Sequence, residues 1–156
     1  MKVDKKSLFL SVGICLLPIL IGVYYFNVLP EQIAVHFNVN GEPDNFVSKT
    51  RAIVGVPIFL AIVQIVISLV VDFDKTPKKG ALIIKGIIPL ISVIVQGGLI
   101  AYALDNNFNV PQLTVLVIGI VFIILGNYLP KKEFWGKYNF NLFGLERGVN
   151  EQKVIR

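Results

Sequence analysis

The sequence predicts an all-α membrane protein with four transmembrane helices. Both termini are expected on the cytoplasmic side, with a small extracellular β-hairpin between helices 1 and 2. Three observations carry this. The chain of 156 residues is 54% hydrophobic and only 16% charged, with mean hydropathy +0.71, too little polar surface for a soluble domain of that length. Four apolar runs, Ser7–Val28, Ala52–Val71, Ala81–Leu104 and Pro111–Leu129, each come to or near the ~20 residues a helix needs to cross a hydrocarbon core of ~30 Å. The basic residues, finally, lie almost entirely on one side of that pattern.

Lys2, Lys5 and Lys6 precede the first run, and Lys75, Lys78, Lys79 and Lys85 surround the second connection. Lys131, Lys132, Lys137, Arg147, Lys153 and Arg156 follow the fourth run. The first connection holds only Lys49 and Arg51, and the third, Asp105–Val110, holds none. The positive-inside rule then places both termini in the cytoplasm and the 29–51 loop outside. In a soluble protein the net charge of +5 would suggest nucleic acid; here it sets orientation, and no direct nucleic-acid contact is expected. The lipid bilayer is the first partner, and the setting is a multi-pass plasma-membrane protein forming one domain.

Taken in order, the first run exceeds the usual 7–15-residue apolar region of a secretory signal, and no small-x-small cleavage site follows it. A retained helix over about 7–28 is the reading. Its Cys15, the sole cysteine, excludes an internal disulfide and serves as an apolar filler. The other spans are expected at about 52–71, 81–104 and 111–129. Pro18, Pro57 and Pro89 mark kinks, and Gly97-Gly98 lets another backbone come close. Lys85 lies near enough to the start of its span for the side chain to reach the headgroups. Lys85, Pro89, Ser92 and Gln96 share one face of the third helix, and Gln64 and Ser68 are spaced i, i+4 on the second. Such faces are expected to hydrogen-bond across the bundle. The tail, 130–156, interleaves Phe134, Trp135, Tyr138, Phe140 and Phe143 with lysines and asparagines. It reads as an interfacial anchor, with a cytoplasmic docking site as the competing function.

The polar stretch Leu29–Lys49 holds the only histidine and three of the ten acidic residues. Ile33, Val35 and Phe37 alternate with Ala34, His36 and Asn38, which argues for a half-buried strand. Asn40-Gly41 suits the positive φ angles of a tight turn, Pro43 suits an edge position, and Phe46 and Val47 return as a second short strand. His36, Asn38, Asn40, Glu42 and Asp44 recur at every second residue, so an extended chain would carry them on one face. His36, Glu42 and Asp44 are the weak candidates for a divalent cation, set against a plain solvated face; no metal and no cofactor is expected. His36 has no nucleophile near it in sequence except Ser48, and no hydrolase or phosphate-binding motif occurs. The chain does not read as an enzyme.

These residues carry a resemblance. Leu29-Pro30, His36-Phe37-Asn38, Asn40-Gly41-Glu42-Pro43-Asp44 and Ser48-Lys49 resemble the signature of the membrane domain of unknown function 1648. That domain forms the N-terminal part of SdpI-family immunity proteins. Gly126-Asn127-Tyr128-Leu129-Pro130-Lys131 is similar to a "GNYLPK" closing a later helix of that family. The resemblance implies a bacterial membrane protein that protects its host from a secreted peptide toxin. It further implies a receptor that holds a small cytoplasmic repressor at the membrane. Carried over, the recognition positions are His36, Asn38, Gly41, Glu42, Pro43, Asp44 and Lys49 outside, with Asn40 in the same turn. Inside, Asn127, Lys131, Lys132 and Trp135 form the expected interface. After Lys131 the chain departs from the pattern, with Asn141–Arg147 as a remnant of the stretch that follows in fuller members.

Three function classes follow. The first is a binding and sensing module acting through the 29–49 loop. The second is a small permease or auxiliary transporter subunit, with a polar route lined by Gln64, Lys85, Ser92 and Gln96. The third is a plain structural partner in a larger membrane complex.

Overall fold

A computed structural model describes residues 3–73, 78–105 and 107–128. Lipid offers the backbone no hydrogen-bond partner, so apolar runs this long close their own bonds as helices even where isoleucine and valine abound. Among the described residues, four stretches are long and apolar enough to cross a membrane: Lys5–Tyr24, Arg51–Phe73, Gly80–Leu104 and Val110–Asn127. The first is two helices, α1 (Lys5–Leu16) and α2 (Pro18–Tyr24), separated at Leu17. A two-stranded antiparallel sheet follows, β1 (Gln32–Phe37) and β2 (Pro43–Ser48). A π-type turn, Arg51–Gly55, then leads into α3 (Val56–Phe73), followed by α4 (Lys78–Leu104) and α5 (Val110–Tyr128). Successive spans reverse direction. One end of the molecule therefore carries the hairpin and the 105–109 connection, and the other carries the start of α1 and the α3–α4 connection.

The spans do not share the packing equally. α1, α3 and α4 contact one another, whereas α5 packs chiefly against α4. A third of the α4 span is buried, 33%, against 11% for α5, which makes α4 the central element. Two glycines permit the closest approaches. A Cβ on Gly22 would lie 2.4 Å from the Ile53 side chain, and one on Gly98 would lie 2.6 Å from Leu113 of α5. Gly98 thus admits a side chain, where the Gly97-Gly98 pair suggested a backbone.

Each of the three core spans is interrupted by a proline, and a polar side chain from another span attends each interruption. Proline has no N–H, so a helix carbonyl upstream of it loses its partner. Pro89 leaves the Lys85 carbonyl, four residues earlier, without a donor; Gln64 Nε2 supplies one at 3.0 Å and also meets Ser68 Oγ at 3.0 Å. In a π-type turn the partner lies five residues on, and five residues after Ala52 stands Pro57. Gln96 Nε2 donates to the Ala52 carbonyl at 3.2 Å. At Pro18 the helix breaks, Leu17 N–H turns back to Gly13 and Ile14, and Ser92 Oγ donates to the Cys15 carbonyl at 2.8 Å. The polar stripe of α4 therefore does bond across the bundle, to freed backbone carbonyls. Gln64 Oε1 and Gln96 Oε1 are buried without a hydrogen-bond partner among the described residues.

Lys85 departs from its expected placement. Its side chain is 3% exposed and does not reach toward the headgroups; Nζ ends 2.6 Å from Asp72 Oδ1 of α3. A helical side chain leans toward its own N-terminus, and in α4 that direction points at the C-terminal turn of α3, where Asp72 sits.

Candidate functional site

The hairpin is built around a three-residue loop. Asn38 N–H donates to the Glu42 carbonyl at 2.8 Å, and Gly41 N–H donates to the Asn38 carbonyl at 3.0 Å. The intervening residues are Val39, Asn40 and Gly41, with Gly41 at φ 84°. This is one residue longer than the two-residue turn Asn40-Gly41 suggests, and the positive φ falls on the glycine, where it costs least. Asn38 organises the loop: its Oδ1 accepts from the N–H groups of Asn40 (2.9 Å) and Glu42 (3.0 Å), and its Nδ2 donates to Glu42 Oε2 at 3.0 Å.

The strand register runs Gln32↔Ser48, Ile33↔Val47, Ala34↔Phe46, His36↔Asn45 and Phe37↔Pro43. Val35 on one strand and Asp44 on the other are thus unmatched, two bulges that offset each other. The bulge at Val35 interrupts strict alternation, and Ala34, expected on the polar side, is buried. The bulge at Asp44 turns its carboxylate to His36, with Oδ1 2.5 Å from Nδ1. These side chains are 66% and 43% exposed, so the pair faces away from the bundle.

The opposite face is pinned to the helices. Leu29 and Ile33 join Ala52, Ile53 and Ile100 in the main apolar cluster, with Val35 and Val47 against it. Phe37 packs edge-on to Tyr102 of α4 at 4.9 Å between ring centres, and Pro111 of α5 lies beside Gly41. Lys49 sits apart from the turn, its Nζ 2.9 Å from Glu31 and 4.7 Å from the centre of the Phe26 ring.

Of the sequence-predicted positions, the fold therefore gathers His36 with Asp44, and Asn38 with Asn40, Gly41 and Glu42. Pro43 opposes Phe37 across the sheet, and Lys49 lies at the base of the hairpin. Among the described residues no group of three His, Cys, Asp or Glu side chains is placed to hold a metal ion; Glu42 turns to Asn38 and leaves His36 and Asp44 as a pair. Asn127 lies exposed near the end of α5, at the opposite end from the hairpin. Lys131, Lys132 and Trp135, like the rest of the 130–156 tail, lie outside the described residues.

Sequence reasoning missed Asp72. Besides pairing with Lys85, it accepts from the Asp4 backbone N–H at 3.1 Å, and Asp4 caps α1 by accepting from Ser7 N–H at 3.1 Å. One carboxylate thereby ties α1, α3 and α4 together at the end remote from the hairpin. The signal available was an acid directly after one apolar run and a single base inside the next, on neighbouring antiparallel helices.

No curated protein and no solved structure matches this chain. A protein family described as "Domain of unknown function (DUF1648)" matches residues 13–61, from the last turn of α1 through the whole hairpin into α3.

Proposed function

We propose that the protein is a binding and sensing module of a bacterial plasma membrane, with the hairpin outside and both termini in the cytoplasm. Its ligand is an extracellular peptide or envelope component, and a secreted peptide toxin is the specific form we favour. The reading rests on one observation above all. The hairpin is held on the helix ends by one face while its other face presents His36, Asp44 and Glu42, already oriented by their neighbours. Preorganised, exposed polar groups lower the ordering cost of binding. The charge asymmetry of the termini and loops supports the orientation. The resemblance of 29–49 and 126–131 to SdpI-family immunity proteins supports protection from a toxin, and capture of a small repressor by Asn127, Lys131, Lys132 and Trp135.

The mechanism is recognition without chemistry. A peptide engaged at His36–Asp44 is kept from inserting into the bilayer. The hairpin also rests on Tyr102 and Ile100 of α4, so a tilt of the cap has a direct route to the helix that carries Lys85, paired with Asp72 of α3, toward its other end. A polar transport route is the weaker reading, because Gln64, Ser92 and Gln96 are occupied with backbone carbonyls at the helix interruptions.

The test is survival. Toxin-sensitive cells expressing the full chain should withstand the toxin, and His36→Ala or Asp44→Ala should abolish protection at equal membrane abundance. Killing undiminished by the wild-type chain would sink the immunity reading.

A further inference from the structure

We infer that the free edge of β2 takes up a cationic peptide segment in extended form, as a third strand of the hairpin sheet. This rests on peptide recognition by the hairpin and names how the peptide is held. β1 is the covered strand: Ile33 and Ala34 are each 2% exposed, and Phe37 packs on Tyr102 of α4. β2 is the outer strand. Its one sheet neighbour among the described residues is β1, and Asp44, Asn45, Phe46 and Ser48 are exposed.

The register fixes which main-chain groups are open. Lys49 N–H donates to the Glu31 carbonyl at 2.9 Å. Gln32 and Ser48 are therefore an antiparallel pair without mutual bonds, and Ile33 and Val47 are the bonded pair that follows. Ala34 and Phe46 are again an unbonded pair. The N–H and C=O of Phe46 and the N–H of Ser48 thus point away from β1, and neither N–H finds another backbone acceptor among the described residues. At the turn end the edge closes, because Pro43 has no N–H and the bulge at Asp44 bends the strand.

Charge commits the occupant. At this end of the molecule, over 29–51 and 105–110, the acids are Glu31, Glu42, Asp44 and Asp105 and the bases Lys49 and Arg51. Lys49 is taken by Glu31, and Asp44, beside the open edge, meets only His36. A second copy laid on β2 would set Glu42 and Asp44 against the same two acids, whereas a basic segment complements them. Phe46, 49% exposed, offers the stem of a lysine an apolar surface next to Asp44. Main-chain bonds supply affinity in such strand addition, and the side chains supply selectivity.

The probe is the capped, fluorescently labelled pentapeptide Lys-Val-Lys-Val-Lys, read by anisotropy against the full chain in dodecyl maltoside. It should bind, and Glu-Val-Glu-Val-Glu should bind about threefold more weakly or worse, the order expected of exposed charges. An added strand turns only alternate amides toward β2. Methylating the lysine amides or the valine amides should therefore have unequal effects, one set costing about tenfold, the order of two lost hydrogen bonds, and the other little. Ser48→Pro removes an outward N–H and no bond to β1, so it should shrink that inequality. Glu42→Gln with Asp44→Asn should abolish the preference for lysine. Equal effects of the two methylation patterns, no preference for lysine, or no binding overturns strand addition. So do disulfide dimers of a Phe46→Cys, Cys15→Ser variant in vesicles, which would put a second copy on the edge. Cell survival reads recognition separately: protection by a chain that fails these binding tests leaves toxin recognition standing and sinks strand addition. Should Ser48→Pro not fold, the two methylated probes, which leave the protein unchanged, decide alone.

Discussion

The hairpin and the central helix both carry polar side chains at regular spacing, and they use them in opposite ways. On the hairpin, His36 pairs with Asp44 and Asn38 with Glu42, side chain to side chain and open to the surroundings. Along α4 and its neighbours, Gln64, Ser92 and Gln96 are buried and donate to carbonyls of the Lys85, Cys15 and Ala52 backbone. The difference is one of burial and of partner: carbonyls inside the bundle, other side chains on the cap. A polar group shut in the bundle is committed to holding a broken helix together. An exposed pair on the cap contributes little to folding.

The largest expected effect breaks the buried set. Asp72→Ala strands the Lys85 ammonium, and removing one partner of a buried ion pair costs about 3–5 kcal/mol. Unfolding in mixed micelles followed by circular dichroism should show that loss. Replacing both residues together, Asp72→Leu with Lys85→Met, should recover most of it. A double variant as unstable as the single one would mean that the pair is not what Asp72 serves.

Next comes packing. Gly22→Ala drives a methyl into the buried Ile53 side chain, 2.4 Å away, and overpacking of this kind costs about 1–3 kcal/mol. Adding Ile53→Val should relieve part of the penalty in the same assay.

A smaller effect isolates the proline repair. Gln64→Leu leaves the Lys85 carbonyl without a donor, a loss of about 0.6–2 kcal/mol by the measured range for interhelical hydrogen bonds. In a Pro89→Ala background the helix regains its own N–H at that position, and the cost of Gln64→Leu should shrink. Equal costs in both backgrounds would detach Gln64 from Pro89.

The smallest expected change in stability is on the cap. His36→Ala removes an exposed pair contributing about 0–1 kcal/mol, so the melting curve should hardly move, while the proposed toxin protection should disappear. A large loss of stability there would erase the contrast between the two regions.

Much of this architecture was legible in the sequence. Length and hydropathy of the apolar runs select four spanning helices, because lipid leaves a backbone no alternative. The alternation from Ile33 to Phe37, followed by Asn40-Gly41, selects a hairpin, because a strand half on helices and half in solvent needs period two. The spacing of Lys85, Pro89, Ser92 and Gln96 marks one working face of α4. The bulge at Asp44 was not legible, since register depends on how the strand seats on Phe37, Tyr102 and the helix ends. Nor were the targets of the polar stripe. Helical periodicity states that Gln64 and Gln96 face inward, but which freed carbonyl each reaches is set by the relative height of three helices.

By itself, then, the sequence determined the number of spans, the place of the cap, the positions of the breaks and the side of the molecule that is basic. These are properties of local composition and period. Only the tertiary structure decided that Lys85 turns inward to Asp72, that the three breaks are held by side chains from other spans, and that α5 stands at the edge. Those outcomes depend on contacts between residues far apart in the chain, and hydrophobic patterning carries no information about depth and rotation of one helix against another.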